Sequence, residues 1–411
     1  MKIGEFANKY NVSQDTIRYY IKQKMLLPQK KNGQYNFCNI CEEDMQNIVE
    51  LKTCHFSIKE IKKILFYMRV SKLDINMKDA FLKELMEQRA KEVRDEIEEL
   101  LLVEEKIEKQ INKLNNSNQK IKTSKLGVPI SFISNMCCPK CKKEYKIFSS
   151  SIVENNIIEG ELVCECDKLI IEDGIIISKT CPKFDGKIIE FAEYVKETNV
   201  EYFNILYSMS FDLKDKIDFS KYSNKILLEL GTGFGLFIRA VYEDLPKNST
   251  YICVDYNYKY IKKLKNIFEK ISISNNIIFL NCRFEELPLK ENTVDCLFDY
   301  AGRTNYYFHK YEYKEKFNKC FFKMIDNVLK RECDYFGTHY LVKTKVNQEI
   351  LSEDQMNMFN REYIKKELEN LDFKILYSKK SEEMPMGGKY ERVHFDKDDK
   401  VEMYNIFSVR K

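Results

Sequence analysis

Apolar and polar positions recur with several different periods along the chain, and each period predicts an element. Ile3, Phe6 and Ala7 fall on one face of a short helix. Ser13 is a good N-cap for a second helix running to about Gln23. In that helix Ile17 and Tyr20 face a core, while Gln14, Arg18 and Tyr19 face outward. Asn32-Gly33 between extended pieces predicts a hairpin carrying Lys30, Lys31 and Tyr35. A helix from about Glu42 to Lys52 follows, after a joint at Cys38 to Cys41 that reads as extended. Ser57 and Glu60 then form a capping box. From Asp79 to about Asn115, Met86, Val93, Leu100, Ile107 and Leu114 recur every seven residues. Ala90, Ile97 and Ile111 fill the complementary position, and Glu104 interrupts it. This is a heptad seam; the alternative is a long surface helix packed on its own protein. A polar linker comes next.

The second half has a different rhythm. Apolar runs at 226–229, 251–255, 276–280, 294–299, 333–342, 373–379 and 401–409 read as strands, and helical segments alternate with the first five. That alternation predicts a parallel, doubly wound sheet with an antiparallel end. The segment 187–222 is helical and aromatic and is expected to cover a cleft.

Composition narrows this picture. A chain of 411 residues has room for two or three domains. A net charge of +4 means that any nucleic-acid contact must come from a local patch. Neither a membrane-length apolar run nor a leader-like apolar region occurs, so a cytoplasmic location is expected. Fourteen cysteines in such a compartment argue for thiols and a metal site over a disulfide scaffold.

The stretch Lys225-Ile-Leu-Leu-Glu229-Leu-Gly231-Thr232-Gly233-Phe-Gly235 reads as strand, tight loop and helix. The second strand ends in Asp255, well placed to bind a ribose diol. The Gly-x-Gly-x-Gly spacing argues against a dinucleotide pyrophosphate; the bland alternative is a βαβ unit whose glycines only ease packing. The pattern resembles motifs I and II of class I S-adenosylmethionine-dependent methyltransferases. The resemblance implies that Glu229 holds the methionine ammonium, that Gly231, Thr232, Gly233 and Gly235 let the cofactor approach, and that Asp255 takes the ribose. It implies that Tyr256 stacks on adenine, with Arg283 and Phe284 on the third-strand loop, where the family usually offers an acid. Acceptor chemistry is expected after the fourth strand, with Tyr300, Arg303 and Tyr306 lining a pocket and His309 or His339 as general base. No Asn-Pro-Pro-Tyr-like or Pro-Cys motif occurs there, which disfavours a DNA-base substrate.

Residues 1–68 resemble the winged helix–turn–helix of MerR-family transcription regulators. Ile3-Gly4-Glu5-Phe6-Ala7, Val12-Ser13, Thr16-Ile17-Arg18-Tyr19-Tyr20, Leu27-Pro28 and Phe56-Ser57-Ile58-Lys59-Glu60-Ile61 carry the likeness. It implies double-stranded DNA as partner, read by Ser13, Gln14, Thr16, Arg18 and Tyr19 from the second helix and by Lys30, Lys31 and Tyr35 from the wing. Gln34-Tyr35-Asn36 stands where the family has a wing arginine. The family dimerises through a helix at the heptad seam, which implies a homodimer on a near-palindromic operator.

Two cysteine groups invite a metal. Cys38, Cys41, Cys54 and His55 flank one helix, on the order of 20 Å apart, too far for one zinc. Cys138-Pro-Lys-Cys141 and Cys164-Glu-Cys166 suit tetrahedral Zn2+, and resemble the small zinc ribbons of some methyltransferases, with Cys-x-Cys in place of Cys-x-x-Cys. Cys137 or Cys181 are substitute ligands; an empty ribbon and a sensing site are alternatives.

The expected fold is therefore multidomain: an all-α winged helix–turn–helix at 1–70, a coiled-coil dimerisation helix at 78–115, a linker at 116–130, a zinc-ribbon-like module at 131–181, and an α/β seven-stranded Rossmann-like methyltransferase fold at 187–411. The expected function is a DNA-binding regulator carrying a methyltransferase for a small-molecule acceptor. The alternative is a regulator whose last domain only senses S-adenosylmethionine or another effector.

Overall fold

The computed structural model describes residues 1–31, 33–71, 75–116, 124–181, 188–271, 275–312, 320–342, 358–385, 388–390 and 400–410. It divides into two compact units, residues 1–119 and 120–411.

The first unit begins with α1 (Ile3–Lys9) and α2 (Gln14–Lys22). The Ser13 hydroxyl accepts from the Thr16 N–H at 3.0 Å and so caps α2. Strands β1 (Gln29–Lys31) and β2 (Gln34–Asn36) pair antiparallel, with Lys30 opposite Tyr35. Next come α3 (Asn39–Thr53), α4 (Ile58–Val70) and α5 (Ile75–Asn116). Cys38 is extended as the N-cap of α3, but the helix expected from about Glu42 already starts at Asn39, and Cys41 is buried in its first turn in one core with Phe37 and Met45. Ser57 and Glu60 form the reciprocal capping box of α4. Phe6, Ile17, Tyr20, Ile48 and Ile61 share one core. Leu82, Leu85 and Met86 of α5 pack against it, and Arg89 bonds the His55 carbonyl and Glu60. Past that point α5 exposes Val93, Ile97, Leu100, Ile107, Ile111 and Leu114.

The second unit is built on one 13-stranded sheet. It holds β3 (Val128–Pro129), β4 (Lys146–Val153), β5 (Asn156–Val163), β6 (Lys168–Glu172) and β7 (Ile175–Ser178), followed by α6 (Phe191–Glu197) and α7 (Val200–Lys214). Then come β8 (Ile226–Leu230), α8 (Leu236–Val241), β9 (Thr250–Asp255), α9 (Tyr258–Ile271), β10 (Asn276–Asn281) and β11 (Val294–Tyr300). The chain continues through α10 (Gly302–Glu312), α11 (Phe321–Ile325), β12 (Leu329–Val342), α12 (Arg361–Glu369), β13 (Phe373–Lys380), β14 (Met384–Pro385) and β15 (Lys400–Arg410).

The order β13-β15-β12-β11-β8-β9-β10 is parallel except at β15, which runs antiparallel to both neighbours. The central strands are buried on both faces, as unbroken runs such as Ile252-Cys253-Val254 require. Two departures from the expected alternation stand out. No α-helix joins β10 to β11; the loop 282–293 holds only a short 3-10 turn at Phe284–Glu286. Phe132, Ile133 and Met136, preceding the cysteine knuckle, share a core with Leu287 and Leu289 of that loop, and Met136 bridges Leu289. Nor is the cysteine module freestanding. Its β7 pairs in parallel with β10, Ile175 opposite Phe279, so the module extends the sheet and covers its edge. Lys265 of α9, fully buried, lies within ion-pair distance of Asp173 in the β6–β7 turn and of Glu269.

Candidate functional site

In the second unit the strand order reverses between β8 and β11, the switch point where open α/β sheets bind ligands. Gly231 has φ +67°, and a Cβ there would lie 2.7 Å from Gly302 Cα, so the loops after β8 and β11 touch backbone to backbone. Gly233 has φ +50°, and a Cβ on it would meet open space, with nothing nearer than the Gly231 carbonyl at 3.8 Å. Its N–H donates to Asp255 Oδ2 at 2.8 Å, while Asp255 Oδ1 accepts from Asn257 N–H. Burial pushes Asp255 up to about 6 against these two donors. Thr232 is buried, its N–H bonded to the Val254 carbonyl.

Glu229, the penultimate residue of β8, is only 1% exposed. Its one hydrogen-bond donor among the described residues is the Tyr251 hydroxyl, at 2.9 Å. Burial, reinforced by Asp255 and Asp299, raises its carboxyl to about 8 although Tyr251 works the other way. It borders a cavity of about 280 Å³ with Gly231, Thr232 and Gly233 on one side. Tyr202, Tyr300, Phe308, Tyr340 and Tyr390 also line it. The Tyr300 hydroxyl donates to the Leu206 carbonyl at 2.7 Å, that of Tyr390 to Glu193, and those of Tyr202 and Tyr340 lie 2.5 Å apart.

The remaining expected residues fall in two places. Tyr256 is half-buried beside Asp255, and Arg283 opens the turn that holds buried Phe284, whose ring tip lies 3.6 Å from the Cβ position of Gly231. Asn281 Nδ2, which the sequence did not single out, donates to the carbonyls of both Asp255 and Tyr256. Of the expected acceptor group, Tyr300 alone among the described residues lines the cavity. Arg303 is fully buried away from it, donating from Nε and Nη2 to Glu367 at 3.2 and 2.9 Å and from Nη1 to the Met358 carbonyl. Its role is to clamp α10 to α12. The Tyr306 hydroxyl donates to Glu285. His339 is fully buried against Tyr335, and burial drives it well below the usual histidine range, so it is no solvent-reaching base. The side chain of His309 lies outside the described residues.

Cys138, Cys141, Cys164 and Cys166 converge, with all four Sγ atoms within 4.8 Å of one another. Three of the separations are 3.5, 3.9 and 4.0 Å. Four thiolates at about 2.3 Å from one zinc would be separated by about 3.8 Å, so the donor set fits that ion. The Cys-x-Cys spacing works because the chain reverses there, Cys164 N–H reaching the Asp167 carbonyl. Cys137 and Cys181 are not in the group; their thiols donate to the carbonyls of Leu289 and Tyr256.

In the first unit Gln14, Arg18 and Tyr19 stand exposed on α2 and Thr16 is half-exposed, with Arg18 held by Asp15 at 2.6 Å. Lys30 lies 5.2 Å from the Tyr35 ring centroid on the hairpin; the Lys31 side chain lies outside the described residues.

These geometries define two classes of domain in one chain, a winged helix–turn–helix and a doubly wound sheet with its ligand site at the switch point. In particular, residues 1–67 match the family model of the MerR HTH family regulatory protein, and residues 227–324 match that of a methyltransferase domain. The chain thus joins a MerR-type helix–turn–helix domain to a methyltransferase domain. Among solved structures it is similar to a SAM-dependent methyltransferase from Aquifex aeolicus (11% identity, 55% of this chain and 100% of that chain, TM-score 0.35). It is also similar to geranyl diphosphate C-methyltransferase from Streptomyces coelicolor A3(2) (11% identity, 55% and 85%, TM-score 0.39). Likenesses this distant carry no argument about substrate. No curated protein matches the chain in sequence. Among the described residues no helix is long and apolar enough to cross a membrane.

Proposed function

We propose that the chain is a homodimeric, cytoplasmic transcription regulator whose C-terminal domain is a working methyltransferase for a small-molecule acceptor. The observation that carries the catalytic part is Glu229, a buried carboxylate with one donor, facing a cavity beside a glycine whose missing side chain leaves open space. When bound, S-adenosylmethionine supplies an electrophilic methyl on a sulfonium. Glu229 would hold its ammonium, and the backbone from Gly231 to Gly235 would admit the methionyl chain. Asp255 would take the ribose hydroxyls, with Tyr256, Arg283 and Phe284 around the adenine. Tyr202, Tyr300, Phe308, Tyr340 and Tyr390 would wall the acceptor and exclude water, the Tyr202–Tyr340 hydroxyl pair orienting its heteroatom. Cys138, Cys141, Cys164 and Cys166 would hold a structural Zn2+ that folds the module.

For the regulator part, Ser13 caps α2, and Gln14, Thr16, Arg18 and Tyr19 would enter the major groove with Lys30, Lys31 and Tyr35 on the flanking backbone. The exposed apolar residues of α5 from Val93 to Leu114 support pairing of two chains, and a two-fold dimer would read a near-palindromic operator.

The decisive experiment incubates the purified chain and S-adenosylmethionine with a small-metabolite extract and measures S-adenosylhomocysteine by mass spectrometry. Calorimetric titration of the cofactor runs alongside. Binding with turnover supports the proposal; binding without turnover against any extract overturns the catalytic part in favour of a sensor. Promoter fragments that give no shifted band overturn the operator part.

A further inference from the structure

The two loops that would carry the nucleoside half of the cofactor are both held by the cysteine module. After β9, the Tyr256 carbonyl accepts from the Cys181 thiol at 3.0 Å, and the Tyr258 hydroxyl donates to Glu172 of β6 at 2.9 Å. After β10, Glu286, two residues beyond Phe284, accepts from the Thr180 hydroxyl. Further along the same loop, the Cys137 N–H donates to the Pro288 carbonyl at 3.3 Å and its thiol to the Leu289 carbonyl at 3.4 Å. The Lys290 N–H in turn donates to the Asn135 carbonyl at 2.9 Å. The methionyl half is built differently: Glu229 and the Gly233 amide are held from β9, by Tyr251 and Asp255.

The grip on the second loop ends where the metal site begins. Asn135, Met136 and Cys137 run directly into Cys138, whose N–H donates to the Lys143 carbonyl across the knuckle at 2.9 Å. Cys138 and Cys141 meet Cys164 and Cys166, which come from the turn between β5 and β6. A zinc ion on these four thiolates ties the knuckle to that turn. Thiols alone contribute only weak hydrogen bonds, and the Lys143–Glu165 ion pair between the same two segments is exposed and adds little. We propose that Zn2+ occupancy of the four cysteines regulates affinity for S-adenosylmethionine by fixing the loop 282–290. This rests on the cofactor reading given above and adds a control to that site. With the metal in place, 135–137 holds 288–290, and the adenine wall at Arg283 and Phe284 is preformed. Without it the strap slackens, and binding must order the loop at a cost in affinity. By linkage, bound cofactor strengthens zinc binding by the same factor.

The test titrates S-adenosylmethionine calorimetrically into the full chain, once loaded with Zn2+ and once stripped by a chelator under reducing conditions. The loaded form should bind at least about tenfold more tightly. Chelator competition should show zinc held more tightly, by that same factor, when cofactor is saturating. Hydrogen exchange separates coupling from unfolding: stripping should deprotect 135–147 and 282–290 while β8, β11 and β12 stay protected. Cys137→Ala with Thr180→Val leaves the four ligands in place, so zinc uptake should be unchanged while the coupling factor falls at least about threefold. Equal cofactor affinity in the two forms, a chain that takes up no zinc, deprotection of the whole sheet, or coupling untouched in the double variant would each overturn the proposal. A loaded form that binds no cofactor sinks the cofactor reading as well, whereas equal affinity leaves that reading standing.

Discussion

Glu229 and Glu367 are both buried in the sheet domain, 1% and 6% exposed, yet their surroundings differ. Glu367 is saturated: Arg303 reaches it with two N–H groups, and the Phe322 N–H approaches its other oxygen at 3.3 Å. Glu229 has the Tyr251 hydroxyl, two destabilising acids nearby, and a cavity in front of it. A buried acid that is fully paired holds helices together. One left underpaired beside open space has the surroundings that the proposed ammonium contact requires. The contrast separates structure from function more sharply than burial does.

The largest effect should come from breaking the clamp. Glu367→Ala strands Arg303 without a counter-charge and should cost about 3–5 kcal/mol in urea unfolding. Arg303→Met with Glu367→Leu removes both charges and should recover most of that loss. Equal damage from the single and double variants would mean that the pair acts mainly through shape. Next comes Glu229→Gln, which should weaken calorimetric binding of S-adenosylmethionine by about 2–3 kcal/mol while leaving unfolding stability at pH 8 unchanged or higher. Lost stability with intact binding would put Glu229 in the same class as Glu367.

The most gradual effect is in pH. Glu229 sits near 8 in the folded chain, above the about 4.3 of an unfolded one. Between those values the folded state keeps a proton that the unfolded state has released. Its contribution is therefore fully present below about 4.3 and fades as pH climbs to about 8, with a slope of at most about 1.4 kcal/mol per pH unit. Asp255, near 6, and Asp299, near 7, act in the same direction over narrower windows. Glu229→Gln should flatten, without abolishing, the fall in stability from pH 5 to 8. Cofactor affinity should rise over the same range in the unsubstituted chain, since an ammonium needs the ionised acid. An affinity that ignores pH would remove Glu229 from that role.

The strand–loop–helix at Glu229 was legible because its parts are adjacent in sequence and carry their own punctuation. So were the Ser13 cap, the Ser57–Glu60 capping box, the long helix α5 and the cysteine pairs, whose spacing is the signal. The Arg303–Glu367 clamp was not legible. Its members lie 64 residues apart, and an arginine after the fourth strand reads equally well as a pocket residue until the fold shows what stands beside it. Tyr202 and Tyr340 meet across 138 residues for the same reason. The third crossover escaped notice because periodicity says nothing about a helix replaced by a neighbouring segment, here 130–136 against Leu287 and Leu289. Only the general expectation that 187–222 covers a cleft foreshadowed Tyr194 and Tyr202 at the cavity.

The parallel seam between β7 and β10 bears on how the sheet domain can be taken apart. A truncation starting near residue 187, where the primary sequence suggests a clean cut, would strip Ile175–Ile177 from Phe279–Asn281 and leave an open rim on the third crossover strand. It would also deprive buried Lys265 of Asp173. A fragment of this domain prepared for crystals or assays should begin near residue 120, keeping the cysteine module on the sheet edge.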